Sequence, residues 1–192
     1  MNNYLKFGAV LFIVVAVSCG LLALVNKQTS PVIEENIKNT QDIARKEVIP
    51  AAQTFTPITL QPIDNEQEDT FTYYEAYDVN GDLIGYTFIA EQYGYSSIIQ
   101  VMVGVDTDFT IMNIKIISQA ETPGLGSKIQ KPEFMNLFAG LKVLDLKINR
   151  EGGEITNITG ATISTKAVTN AIKSGLEKLE SAITGGENDI NE

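Results

Sequence analysis

Histidine is absent from the 192 residues of this chain, and Cys19 is its only cysteine. The first absence removes imidazole acid–base catalysis and histidine metal sites. The second removes an internal disulfide, an all-cysteine zinc site and a self-contained iron–sulfur cluster. Any electron chemistry on this chain therefore calls for a bound organic cofactor. Positive charge is scarce too: 14 Lys and Arg stand against 24 Asp and Glu, for a net charge of −10 and a pI of about 4.5. That balance argues against nucleic acid as a partner, which wants a basic face. It suits a domain held beside a membrane without being drawn onto anionic lipid.

What is present begins with an apolar run. Phe7 to Val25 is nineteen residues without a charge. At ~1.5 Å rise per residue a helix of that length crosses a hydrocarbon core of ~30 Å. Lys6 precedes the run and Lys27 follows it, a weak charge bias. The short, lysine-bearing N-terminus favours N-in, which puts the acidic domain on the extracytoplasmic side of a single-pass cell-membrane protein. Two alternatives stay open: a cleaved signal peptide, whose apolar region would be unusually long, and lipidation at Cys19, preceded by Ala16-Val17-Ser18.

Ser30-Pro31 reads as a helix start, a cap residue followed by proline at the first helical position. A connecting helix is expected from there to Ile49-Pro50. Residues 54–70 hold two prolines and an acidic run and read as loop, with a strand at 55–60. From Phe71 the period changes to two. Strands are expected at 71–79, 83–90, 98–105 and 110–117, joined by turns at Asn80-Gly81, Gly94-Tyr95 and Asp106–Phe109. Short turns between consecutive strands imply an antiparallel meander. Helical spacing returns at 132–141. Alternation predicts strands at 143–148 and 155–158. A long helix carries Ala167, Val168, Ala171, Ile172, Leu176, Leu179 and Ile183 as one apolar stripe, with Gly185-Gly186 as its stop. The fold class is α+β: an antiparallel sheet meander with packed helices, preceded by one N-terminal transmembrane helix. The expected division is an anchor at 1–28, a connecting helix and loop at 29–70, a ligand-binding domain at 71–186 and a polar tail at 187–192.

Two segments carry chemistry. The run Thr159-Gly160-Ala161-Thr162-Ile163-Ser164-Thr165 lies where a polar, glycine-marked stretch becomes the last helix. Small residues, hydroxyls and free backbone N–H groups at a helix start suit an anionic phosphate. The plain alternative is an ordinary helix cap, yet two hydroxyls flanking Gly-Ala are more than a cap needs. Lys166, one turn on, could add positive charge or be a solvated surface lysine. The second segment is Glu121-Thr122-Pro123-Gly124-Leu125-Gly126. Pro-Gly is an ordinary turn pair, but two glycines around a leucine also expose backbone groups to a heterocycle edge. Tyr95, in the Gly94-Tyr95 turn, could pack on a ring, or be sheet packing like the other tyrosines.

TGAT at 159–162 and ETPGLG at 121–126 come with Ser127-Lys128-Ile129 and a Phe-bearing helix after them, and with Gly94-Tyr95 before Val101–Asp106. Together these segments resemble the FMN-binding domain of the RnfG/NqrC family, on the RnfG side by length. The likeness runs from about Phe71 to Ile183. The resemblance implies FMN joined covalently, through a phosphoester, to the hydroxyl of Thr162, a linkage made by a separate flavin transferase. It implies a cofactor site drawn from Thr159, Gly160, Ala161, Thr162, Ser164, Thr165 and Lys166, from Glu121, Thr122, Pro123, Gly124, Leu125 and Gly126, and from Tyr95. It also implies electron relay on the outer membrane face, with membrane and iron–sulfur subunits of an ion-translocating ferredoxin:NAD oxidoreductase complex as partners. Two positions depart from the family pattern: Thr156 stands where aspartate is usual, and Gln119 where relatives often have histidine. The other readings are the equivalent subunit of a Na⁺-translocating quinone reductase, a membrane-anchored scaffold without flavin, and a stand-alone flavin reductase, for which the sequence offers no obvious acid or base.

Overall fold

The computed structural model describes residues 2–60, 70–149 and 152–188. Most of the acidic loop and the end of the polar tail lie outside the described residues.

A single helix, α1, runs Asn2–Val48 with Pro31 inside it. This corrects the expected helix start at Ser30-Pro31. A cap needs its side-chain oxygen aimed forward at free N–H groups. Here the Ser30 hydroxyl bonds back to Asn26 Oδ1 at 3.4 Å, and the Thr29 hydroxyl donates to the Val25 carbonyl at 2.8 Å. Both are bonds made within a continuing helix. Proline inside a helix costs about 3 kcal/mol, because it removes one helical hydrogen bond and crowds the preceding turn, yet α1 continues through Pro31. The stretch holding the apolar run is long and apolar enough to cross a membrane, with Cys19 exposed on it.

The chain divides after Thr40 into two compact units. The second begins at Gln41 and so takes in the last two turns of α1. There Ala44, Val48, Ile49 and Ala52 pack with Ala76 and Met102 in a small core on one face of the sheet. Gly104 lets the backbone come close: a Cβ at that position would lie 2.9 Å from the Val48 and Ile49 side chains. Arg45 is buried beside them. It pairs with Asp42 at 2.6 Å and stacks 3.7 Å from the centre of the Tyr74 ring.

The sheet has five strands in sequence order: β1 Thr54–Leu60, β2 Phe71–Tyr77, β3 Leu83–Tyr93, β4 Ile98–Val105 and β5 Ile111–Ser118. Each pair of neighbours is antiparallel, so the expected meander is observed. The β2–β3 turn is wider than a two-residue hairpin, since Tyr77 pairs with Leu83. Asp78 closes it by accepting the backbone N–H groups of Asn80 at 2.7 Å and Asp82 at 3.0 Å, while Gly81 takes φ +85°.

The other sheet face carries the main core. Two helices follow the sheet. Helix α2, Pro132–Met135, is one turn that continues as a 3₁₀ turn at Asn136–Phe138. Its Phe134 and Phe138 meet edge to face at 5.4 Å. Helix α3, Thr162–Asn188, packs on β3 and β4, and its Ala167, Val168, Ala171, Ile172, Leu176 and Leu179 share one core with Phe88, Val101 and Val103. It does not stop at Gly185-Gly186. Glycine weakens a helix by about 1 kcal/mol but ends it only by turning left-handed, and Gly185 is not among the glycines with positive φ.

The strand expected at 143–148 is absent. Val143–Asp145 forms a 3₁₀ turn, because the Asp145 carboxylate accepts the Lys142 N–H at 3.0 Å and curls the chain. Leu144 is thrown outward at 80 % exposure while Leu146 and Ile148 stay buried. The 155–158 strand reduces to an isolated parallel bridge between Ile148 and Ile155.

Candidate functional site

The fold brings the two glycine-marked segments together. Gly160 sits at φ +79°, and a Cβ there would lie 3.0 Å from the Leu125 side chain. The backbone then turns into α3: the Ala161 N–H reaches the Ile158 carbonyl at 2.9 Å, and the Thr165 N–H makes a helical bond to the Ala161 carbonyl at 3.0 Å. The N–H groups of residues 162, 163 and 164 therefore have no partner within the helix.

Ala161 is the residue just before the helix, so the cap position carries no side-chain oxygen. Alanine there is among the poorest caps, about 1 kcal/mol worse than serine or threonine. The simple capping reading of this segment is thus not what the structure contains. Thr162 opens the helix and is half-buried; Thr159 and Gly160 are exposed; Lys166 is exposed one turn on. Thr165 is fully buried. Its hydroxyl donates to the Ala161 carbonyl at 3.0 Å and accepts the Ile158 N–H at 3.3 Å. It fastens the turn and faces no solvent.

Ser164 faces inward to Glu121, its hydroxyl donating to Oε2 at 2.5 Å. Residues two apart on a helix point about 200° apart, so Thr162 and Ser164 look to different sides. The Glu121 carboxylate also accepts the backbone N–H groups of Tyr95 at 3.2 Å, Ser96 at 2.9 Å and Ser97 at 3.2 Å. It is only 4 % exposed. The glycines around it are needed for space: a Cβ at Gly94 would come 2.7 Å from Oε1, and one at Gly126 would come 2.8 Å from Oε2.

The structure thus divides the expected cofactor residues. Thr122, Pro123, Gly124 and Leu125 form an exposed loop beside Gly160, with Gly126 buried behind them. Tyr95 is 66 % exposed, and its backbone N–H joins the Glu121 cluster. Glu121, Ser164 and Thr165 are turned inward onto protein partners. Ser96 and Ser97 were not among the expected site residues, because the carboxylate that accepts their backbone N–H groups lies about two dozen residues ahead. Of the two departures from the family pattern, Gln119 accepts the Glu121 N–H at 2.6 Å and donates to Gln130 Oε1 at 3.1 Å. It steadies the same loop. Thr156, the other departure, is exposed.

Burial alone would push the Glu121 carboxyl up. The Ser164 hydroxyl and the three backbone N–H groups more than offset it and hold the carboxyl below its ordinary 4.5. A carboxyl held low in the folded chain contributes stability that is present above the unfolded pKa and is lost as pH falls through the folded one. Resistance of the full chain to chemical unfolding should therefore weaken as pH falls below about 4.5. In Glu121→Gln this acid limb should be shallower; equal limbs would contradict the assignment.

Residues 94–177 match the FMN-binding domain family, a span that opens on Gly94 and holds both loops and the first half of α3. The G subunit of the ion-translocating oxidoreductase complex of Methanosarcina acetivorans is 35 % identical over 166 residues, covering 86 % of this chain and 88 % of that protein. This chain belongs to the RnfG family. The G subunit of the Na⁺-translocating ferredoxin:NAD⁺ oxidoreductase complex of Acetobacterium woodii is 33 % identical over 186 residues, covering 90 % of this chain and 89 % of that protein. Among solved structures, the C subunit of the Na⁺-translocating NADH-quinone reductase from Parabacteroides distasonis has a TM-score of 0.54 at 20 % identity, covering 74 % of this chain and 91 % of that one. At that identity the likeness speaks for the fold alone. The family expected from TGAT and ETPGLG is the family found.

The residues present fit an FMN phosphate. The helix start has N–H donors left over by the helix, no capping side chain, a glycine at positive φ and a half-buried threonine hydroxyl.

Proposed function

We propose that this chain is the membrane-anchored electron-transfer subunit of an Rnf-type ion-translocating oxidoreductase complex, carrying FMN in phosphoester linkage to Thr162. The observation that carries the reading is the uncapped start of α3, with Thr162 as its first residue and the ETPGLG loop against Gly160. Bound there, FMN supplies reversible uptake and release of electrons, which none of this chain's side chains provides. The Thr162 hydroxyl gives the attachment oxygen. The first N–H groups of α3 and the positive end of its dipole hold the phosphate charge. Lys166 adds positive charge one turn on. The exposed Leu125 and the Tyr95 ring offer apolar surface at the site's rim.

A separate flavin transferase makes the bond. Covalent linkage suits a domain on the extracytoplasmic side, where a lost cofactor could not be drawn from the cytosolic pool. The apolar part of α1 anchors the chain and raises its effective concentration beside the membrane and iron–sulfur subunits of the complex.

The test is made in membranes that contain the whole complex. Thr162→Ala should leave the chain inserted and the complex assembled on native gels, while electron flow from reduced ferredoxin to NAD⁺ and the coupled ion uptake fall to background. Unchanged electron flow in an assembled complex would sink the reading and favour a scaffold without flavin.

A further inference from the structure

The proposed flavin reading leaves open what holds three separate chain segments around Thr162. The segments are the turn at 94–97, the loop at 121–126 and the first turn of α3. Hydrogen bonds to one side chain connect all of them. Glu121 belongs to the second segment, accepts three successive backbone N–H groups from the first, and accepts the Ser164 hydroxyl from the third.

We propose that Glu121 is a positioning residue for the flavin attachment site, and that its buried carboxylate fixes the 94–97 turn and the start of α3 in one arrangement before any cofactor arrives. The proposal rests on the flavin reading only for what the arrangement serves.

The charge matters as much as the shape. An ionised carboxylate taken out of water is costly unless donors surround it. Four do so here, and the bond from Ser164, at 2.5 Å, has the short length of a hydroxyl donating to an anion. The positive end of α3 favours the same charge. The carboxylate has no room to move, because Gly94 and Gly126 approach within what would be a Cβ clash with its two oxygens. At 4 % exposure it is not offered to a ligand. Instead it determines where the exposed parts of the three segments stand: the Tyr95 ring, Leu125 and Thr162.

Glutamine has nearly the same shape but cannot do this work. It accepts through one oxygen only, and its NH₂ group would face donors. Glu121→Gln should therefore free the 94–97 turn and leave the sheet intact. Ser164→Ala is the milder companion, since it removes one donor and keeps the charge.

The experiment uses the full-length chain in detergent and has two arms. In the flavin-free chain, amide hydrogen exchange is measured. Glu121→Gln is expected to speed exchange at Tyr95, Ser96 and Ser97 at least about ten-fold, the factor expected for losing one hydrogen bond to a charge. The amides of β3, β4 and β5 should be unchanged. In the second arm the chain is given a flavin transferase and FAD, and FMN attachment is followed by mass: the Thr162 oxygen takes the FMN phosphorus, the diphosphate P–O bond breaks, and AMP leaves. The initial rate should fall about ten-fold in Glu121→Gln and by a smaller factor in Ser164→Ala. Wild-type exchange at 95–97 in Glu121→Gln would overturn the proposal. So would a wild-type attachment rate in that variant, or loss of protection throughout the sheet with Ser164→Ala indistinguishable from wild type. If Glu121→Gln does not fold, Ser164→Ala decides by the attachment rate, and a wild-type rate there overturns the proposal. If the wild-type chain itself takes no flavin, the flavin reading has failed, and the exchange arm still decides whether Glu121 holds the segments.

Discussion

Thr162→Ala is expected to leave no flavin on the chain after denaturation, when the full-length protein is co-expressed with a flavin transferase. Wild type should retain flavin fluorescence through denaturing electrophoresis and gain the mass of one FMN less one water. Four hydroxyls lie in the segment, and the structure distinguishes them. Ser164 is buried and donates to Glu121. Thr165 is buried and bonded to the backbone at both ends of its own turn. Thr159 is exposed but precedes Gly160, outside the helix whose N–H groups would hold a phosphate. Thr162 alone combines solvent access with a place at the helix start. Thr162→Ser offers the same oxygen and should keep the adduct. Thr165→Val should weaken the turn without removing the attachment point. Equal flavin on wild type and Thr162→Ala would end the assignment.

How far the sequence announced this site follows from the range of the interactions involved. The meander was legible because period-two alternation and turn residues are local signals, and the observed strands match the expected ones to within a few residues. TGAT and ETPGLG were legible as separate phosphate- and ring-seeking segments, since glycines and hydroxyls at a helix start have a local meaning. The inward turn of Glu121 was not legible. Its donors lie 24 to 26 residues behind it and 43 residues ahead, and no local pattern marks a carboxylate that is to be buried. The remaining mismatches run the other way, with local signals overridden. Ser30-Pro31 reads as a start but lies inside α1 with the Ser30 hydroxyl bonded back along the helix, and Gly185-Gly186 reads as a stop without a left-handed turn to make it one. At 143–148 alternating leucines promised a strand, yet one carboxylate, that of Asp145, curls the backbone.

The second large effect lies behind the site, where α3 meets the sheet that carries it. Phe88 on β3 is 1 % exposed, and its ring is the nearest neighbour of Gly175 on α3: a Cβ built there would lie 2.4 Å from Cε2 and 3.0 Å from Cδ2. Phe88→Ala should cost about 3–5 kcal/mol, the transfer term plus the cavity left behind. For a chain of this size that is a fall of about 6–20 °C in the unfolding temperature, read from the near-ultraviolet signal of the tyrosines. Gly175→Ala sets two effects against each other. Helix propensity gains about 1 kcal/mol, while forcing a methyl into a packed ring costs about 1–3 kcal/mol, so the single variant should be neutral to destabilising. In the Phe88→Ala background the ring atoms that oppose the methyl are gone. The nearest remaining neighbour, the Ala90 Cβ at 3.4 Å, makes an ordinary contact. Gly175→Ala should then stabilise, so that the same substitution changes sign with the background. A coupling of about 1 kcal/mol or more in this cycle is the signature of direct contact. Additive effects would mean that α3 does not lie on β3 as described, and the start of α3 would lose the support that places Thr162.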